Sequence, residues 1–213
     1  MSPRSDLRER RRAEIVAAAR RIVAKNGIEA LTFAALEQQL SFTRGVVTYH
    51  FANREEIVRA VYASAIAEID AAVRTEVLAA PTIEAQVGAV LRANVRGFID
   101  RAEAGRVLLS FWGRIFSDAE IRRLNASLYA RYRRRAAGLL KGAGRAIARV
   151  DEKTMAALLV GLVLGIATQH YFEPGAIDVD AAIEEATRTV LARLAPASRS
   201  RTARPRGAAR GTA

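Results

Sequence analysis

The sequence predicts an all-α protein of about nine helices, with a small N-terminal helical domain followed by a larger C-terminal one. Apolar residues recur at intervals of three and four from Ile15 onward, and no stretch alternates as a half-buried strand does. The composition is half hydrophobic and rich in Ala, and Gly and Pro are scarce away from the ends, which favours helix. Helix-capping side chains stand ahead of the apolar stripes: Asn53 with Glu56, Ser117 with Glu120, Asp151, and Asp178 or Asp180. A chain of 213 residues is long enough for one or two domains with a sizeable core.

Residues 1–8 read as a flexible, Arg-rich arm. The first helix is expected over residues 7–26, with Ile15, Ala18, Ala19, Ile22 and Val23 on one buried stripe and Asn26-Gly27 closing it. Two short helices follow, residues 33–39 and 43–49, over a small core of Phe33, Leu36, Leu40, Val47 and Phe51. Asn53 caps a long fourth helix striped by Ile57, Val61, Ala65, Ile69 and Val73. Pro81-Thr82 starts a fifth helix, to about residue 99, and residues 107–116 form a short apolar segment. Ser117-Asp-Ala-Glu120 reads as the capping box of a seventh helix that Gly142 and Gly144 end. The eighth and ninth helices start at Asp151 and near Asp178, ending near residues 171 and 194. The resulting division is an arm over 1–8, a helix-turn-helix domain over 9–55, a C-terminal domain over 56–194 and a disordered basic tail over 195–213.

Charge and composition limit the chemistry. The net charge of +12 is uneven: residues 1–62 carry +4 and residues 100–150 carry +8, whereas residues 151–194 carry −4. A basic N-terminus suits phosphate contact, while the Arg-rich middle is equally a solvated surface. No Cys is present, which excludes disulfides, thiol nucleophiles and Cys-ligated metals. The charged N-terminus shows no signal peptide, and the longest apolar run, residues 155–168, falls short of the ~20 residues that span a bilayer. A cytoplasmic protein with no membrane partner is the expectation. There is no phosphate-binding Gly loop, no Gly-x-Ser-x-Gly elbow and no carboxylate cluster, so an enzyme is not expected. His170 and Glu173 stand three apart, too few ligands for a metal site, and no cofactor is expected.

Residues 32–56 carry the most informative pattern. Major-groove reading needs a short helix held at a fixed angle by another. With Val47 and Phe51 facing inward, Thr43, Arg44, Thr48 and Tyr49 are left facing outward. Arg44 suits a bidentate bond to guanine or a phosphate clamp, and the Thr hydroxyls and methyls suit base edges. Thr32 stands at the start of the supporting helix, and Gly45 allows close backbone approach. Tyr49 and His50 at the helix end, and Arg54 in the next first turn, are candidate phosphate ligands. Tyr49 also suits packing against the fourth helix, and His50 a solvated helix end. Arg4, Arg8, Arg10, Arg11 and Arg12 suit either a DNA backbone or groove contact or plain solubility.

Residues 11–62 resemble the DNA-binding domain of the TetR family of transcriptional regulators. The matching features are the Ile15/Ala18 helix, Asn26-Gly27, Thr32, Leu36, Thr43-Arg44-Gly45, Tyr49-His50-Phe51 and Asn53-Arg54-Glu55 before Ile57. Three positions depart from the family pattern: Glu37 replaces a small Ala, Ser41 stands where the turn usually has Gly, and Thr48 replaces an aromatic. The remainder agrees in architecture and length. The resemblance implies a homodimer that binds a palindromic double-stranded DNA operator, most often as a repressor. It also implies release by a small-molecule effector, apolar or amphipathic, bound in a C-terminal domain that also dimerises. Charge and the Arg-rich tail alone favour a second reading, a non-specific DNA-compacting protein.

For the effector, the sequence offers Phe98, Phe111, Trp112, Tyr129, Met155 and His170, all residue types of plain core as well, with Asn94 and Gln169 as polar specificity groups. The eighth helix is apolar nearly all round, which predicts burial on several sides, and Gly161 and Gly165 permit close helix approach. Leu158, Leu162 and Ile166 on that helix, with Ile183 and Val190 on the ninth, are the candidate interface of a four-helix dimer bundle. The ninth helix's stripe is equally able to pack inside one subunit.

Overall fold

A computed structural model describes residues 3–142 and 151–194. Among these residues nine α-helices follow in order: α1 (Pro3–Asn26), α2 (Phe33–Gln39), α3 (Arg44–His50), α4 (Arg54–Ala79), α5 (Ile83–Asp100), α6 (Ala102–Trp112), α7 (Ala119–Gly142), α8 (Glu152–Phe172) and α9 (Val179–Leu194). One 3-10 turn, Ile28–Ala30, lies between α1 and α2. The expected tail 195–213 and Gly144 lie outside the described residues.

Local capping explains most helix starts. Thr32 Oγ1 accepts from the Ala35 amide at 3.0 Å, and Thr82 Oγ1 accepts from Ala85 at 3.2 Å. Asn53 Oδ1 accepts from the Glu56 amide at 2.9 Å, and the Glu56 carboxylate accepts from the Ala52 amide at 2.8 Å. Asp151 and Asp178 cap α8 and α9 through the Thr154 and Ala181 amides. Each such cap contributes about 1 kcal/mol.

Two starts differ from expectation. Helix α1 begins at Pro3, so residues 3–8 continue the helix where a loose arm was expected. Proline suits a first turn, where its missing N–H leaves nothing unpaired, and Asp6 favours the positive helix end. Helix α7 is capped by Asp118 rather than Ser117: one Asp118 oxygen accepts from the Glu120 and Ile121 amides at 2.9 and 3.1 Å. Its charge gains from the helix dipole, and Glu120 turns outward to Arg123 and Arg59.

Two apolar clusters organise the chain. The first joins Ile15, Ala18, Leu36, Val47, Phe51 and Ile57 to Val107, Leu108, Phe111 and Leu128. The core beneath the two short helices is therefore continuous with α6 and α7. Tyr62 and Phe111 stack within it at 4.7 Å between ring centroids. Tyr62 also donates from its buried hydroxyl to Asn125 Oδ1 at 3.0 Å, while Asn125 Nδ2 donates to the Ile121 carbonyl. Burial pushes the Tyr62 phenol pKa up, so it stays a neutral donor.

The second cluster holds Leu91, Val95, Leu140, Met155, Leu159, Val163, Ile166, Ile183 and Val190. Helix α5 sits at its centre, against α4, α8 and α9. This corrects the expected dimer interface in part. Ile166, Ile183 and Val190 are buried inside this chain, because α9 lays its stripe on α5 and α8. Burial of α8 is also less complete than its composition predicts. Leu158 is 54 % exposed and Gly161 is exposed, although Met155, Ala156 and Leu159 are buried. By length and composition Lys153–Phe172 is apolar enough to cross a membrane, but here it packs against α5, α7 and α9.

Candidate functional site

The supporting helix α2 and the short helix α3 are held by Leu36, Val47 and Phe51, each at most 1 % exposed. With those three turned inward, Thr43, Arg44, Gly45, Thr48 and Tyr49 are all exposed on the opposite side, as the spacing predicts. Tyr49 is 72 % exposed, which rules out packing against α4. Thr43 forms no side-chain cap bond with α3, so its hydroxyl is not committed to that cap. Thr48 Oγ1 donates back to the Arg44 and Gly45 carbonyls, both at 3.2 Å, which leaves its lone pairs and methyl outward. The Arg44 guanidinium lies 5.3 Å from the Phe33 ring centroid, a cation–π contact that steadies a long side chain on the surface.

The start of α1 lies against this same surface. Arg8 sits over the Tyr49 ring, Arg11 over Phe42 at 4.9 Å and Arg12 over Phe51 at 4.7 Å. Of the three only Arg8 falls in the segment expected as a loose arm; the aromatic neighbours that order them come from α3 and its flanking turns. His50 is half-buried beside them, and its imidazole pKa is lowered, first by burial and then by the Arg8 and Arg12 charges. The folded state thus favours the neutral ring. The stability this contributes is present above the ordinary value of 6.5 and is lost as pH falls below it. We expect thermal melts from about pH 7 to about pH 5 to show a downward slope that His50→Gln reduces. An identical slope in both proteins would remove His50 as its cause.

Arg54 is placed differently from expectation. Its Nε donates to the Leu31 carbonyl at 2.8 Å and Nη2 donates to the Ile28 carbonyl at 2.7 Å. The guanidinium thus ties α4 to the turn before α2 rather than facing outward for phosphate. That turn is also held from α6 and the turn after it: the Ile28 amide donates to Ser110 Oγ at 2.9 Å, and Arg114 pairs with Glu29 at 2.6 Å. Gly27, at φ 82, makes the reversal into it, a conformation that costs glycine little. A second tie runs through Arg20 on α1, which reaches Glu68 on α4 at 2.7 Å and Glu103 on α6 at 3.0 Å. Neither tie is visible in the sequence, because the partners lie tens of residues apart.

A cavity of about 420 Å³ lies between α4, α5, α7 and α8. Of the six candidate effector residues only Phe98 lines it, together with Asn94. Phe111 and Met155 are buried core residues. Trp112 and Tyr129 pack on each other at 6.3 Å, and His170 packs on Tyr171 at 5.8 Å. Gln169 is spent on the Gly165 carbonyl at 3.1 Å. The lining is instead aliphatic, including Val73, Val77, Leu139, Leu159 and Val163, with Asp70, Arg74, Tyr132 and Arg135 as its other polar members. Asp70 and Arg74 each follow a residue of the α4 stripe, Ile69 and Val73, and so border the face expected to pack. Among the described residues no group of three or more potential metal ligands occurs.

Residues 15–61 match the family described as bacterial regulatory proteins, tetR family, and residues 83–196 match the BetI-type transcriptional repressor, C-terminal. The chain is 25 % identical over 183 residues to the HTH-type transcriptional regulator BetI of Burkholderia ambifaria, covering 85 % of this chain and 93 % of that protein. A putative transcriptional regulator from Saccharomonospora viridis, solved in complex with choline, shares the fold at a TM-score of 0.69 and 18 % identity, covering 84 % of this chain and 95 % of that one. AibR, solved in complex with isovaleryl coenzyme A and operator DNA, shares it at a TM-score of 0.66 and 18 % identity, covering 84 % and 97 %. With its exposed short helix at the N-terminal end and a BetI-type C-terminal domain covering more than half its length, the chain belongs to the TetR family of bacterial transcriptional regulators.

Proposed function

We propose that the protein is a dimeric repressor whose α3 reads a palindromic operator and whose cavity takes the small molecule that releases it. The observation that carries this reading is the single surface on which Thr43, Arg44, Gly45, Thr48 and Tyr49 are exposed beside Arg8, Arg11 and Arg12. Arg44 is the candidate base or phosphate contact, Thr43 and Thr48 the short base-edge contacts, and Tyr49 a phosphate ligand. Thr32 and His50 flank this set. The domain roles follow: residues 9–55 bind DNA, and residues 56–194 sense and dimerise. Leu158 and Leu162 on α8 remain the dimer candidates; Gly161 and Gly165 beside them have open space at their Cα atoms, where a partner helix fits.

Coupling follows from the packing. Helices α4, α5, α7 and α8 enclose the cavity, and α4 runs from it to the Asn53 cap beside α3. A ligand that spreads α4 from α7 acts on Arg54 and the 3-10 turn at the other end of α4. Choline and isovaleryl coenzyme A, held by two relatives of the same fold, differ in charge, so the fold leaves the ligand class to the lining residues. The test is a gel shift at fixed salt with operator fragments selected from genomic DNA. Arg44→Ala and Tyr49→Ala are each expected to weaken binding by about 1–3 kcal/mol, roughly fivefold to 150-fold, with helical circular dichroism unchanged. Unaltered affinity in both would remove α3 as the reading helix.

A further inference from the structure

We infer, on the reading that this cavity is the effector site, that it is built for an amphipathic monoanion: an aliphatic chain ending in a carboxylate that Arg74, Arg135 and Tyr132 hold. The polar groups of the lining are mostly donors, and they are not all engaged. Asp70, the one acid among them, takes Arg135 at 3.0 Å and Arg131 at 3.6 Å from α7. Arg74, one turn along α4 from Asp70, makes no ion pair among the described residues. The Tyr132 hydroxyl is buried beside the Asp70 carboxylate and has no well-formed hydrogen bond to it. A buried hydroxyl so weakly engaged is a group that a ligand acceptor satisfies. Asn94 donates from Nδ2 to the Val90 carbonyl at 2.7 Å and adds no anionic group.

The geometry separates head from tail. Arg74 and Arg135 are the exposed members of the lining, so they mark the mouth. Val73, Phe98, Leu159, Val163 and Leu164 surround the remainder and suit an aliphatic chain. A cationic head meets two arginines against one already neutralised Asp70. Phe98 and Tyr132 are the only aromatic rings of the lining, and Trp112 and Tyr129 are absent from it, so the walls are largely aliphatic rather than a box of rings. Guanidinium groups, by contrast, suit a carboxylate through paired N–H donors.

Isothermal titration of the full-length protein with decanoate, decanol and decyltrimethylammonium tests this. Decanoate is expected to bind about tenfold or more tightly than either of the others. Arg74→Gln and Arg135→Gln are each expected to weaken decanoate about tenfold and leave decanol unchanged. Val163→Trp, which narrows the apolar part of the cavity, is expected to weaken decanoate binding. Preference for the cation, equal binding of all three, or binding of none overturns the inference, as does decanoate affinity indifferent to both arginine variants or to Val163→Trp. A gel shift separates it from the effector reading. Decanoate that binds with these dependences but leaves operator DNA bound supports the anion site and overturns the role of the cavity in release.

Discussion

Gly105→Ala is expected to destabilise the C-terminal domain by about 3 kcal/mol or more, an effect at or above the upper end of ordinary overpacking. Helix α6 crosses the end of α5 at this residue, and a Cβ placed there meets the Phe98 carbonyl oxygen and the Tyr171 hydroxyl more closely than real side chains approach. Those two groups are themselves joined, Tyr171 on α8 donating to the Phe98 carbonyl on α5. One obstacle is backbone and the other is fixed by its hydrogen bond, so neither yields cheaply. The melting temperature should fall by roughly 6–12 °C for a chain of this size. Gly113→Ala serves as the control, because the nearest atom a Cβ there meets, the Ser110 carbonyl oxygen, stands at an ordinary 3.7 Å. Differential scanning calorimetry that finds the two variants alike would contradict the packing described for α5, α6 and α8.

Arg54→Ala is expected to cost about 2–4 kcal/mol of stability, felt first in the DNA-binding end. The variant loses two charge-assisted hydrogen bonds and leaves the Ile28 and Leu31 carbonyls without their guanidinium partner. Partial exposure keeps the figure below the sum of two fully buried bonds. Arg54→Lys should not rescue it, since one ammonium cannot reproduce a planar fork that spans two carbonyls. Hydrogen exchange should show faster opening of residues 28–36, and operator affinity should fall with it. A variant that melts like the parent and loses only salt-dependent DNA affinity would instead make Arg54 a phosphate ligand.

These two residues show where sequence reading stops. The positions of α2 and α3 were legible because Leu36, Val47 and Phe51 leave few other ways to bury a small hairpin, and Thr32 and Asn53 mark its edges. Arg54 read as a phosphate ligand because a sequence displays its charge but not the carbonyls it finds across a turn. Gly105 carries no signal in the sequence, since the need for a missing side chain arises only when three helices meet. The lining of the cavity is hidden from the sequence for a related reason. Large aromatics were the natural candidates, yet Phe111 serves the core beside Tyr62, and the open volume lies where smaller aliphatic residues of four helices fail to fill the space. The stripe of α9 was legible as a stripe, but which surface it covers was decided by α5.

On the proposed function, the exposed face of α3 reads DNA sequence. Fluorescence anisotropy at physiological salt, with the operator fragment selected from genomic DNA and a scrambled duplex of the same length, tests it most directly. The structure predicts binding to the selected fragment about 10³-fold or more tighter than to the scrambled one, with Arg44→Ala closing much of that gap. Equal affinity for the two duplexes, unchanged by Arg44→Ala, would contradict it and leave only charge-driven binding.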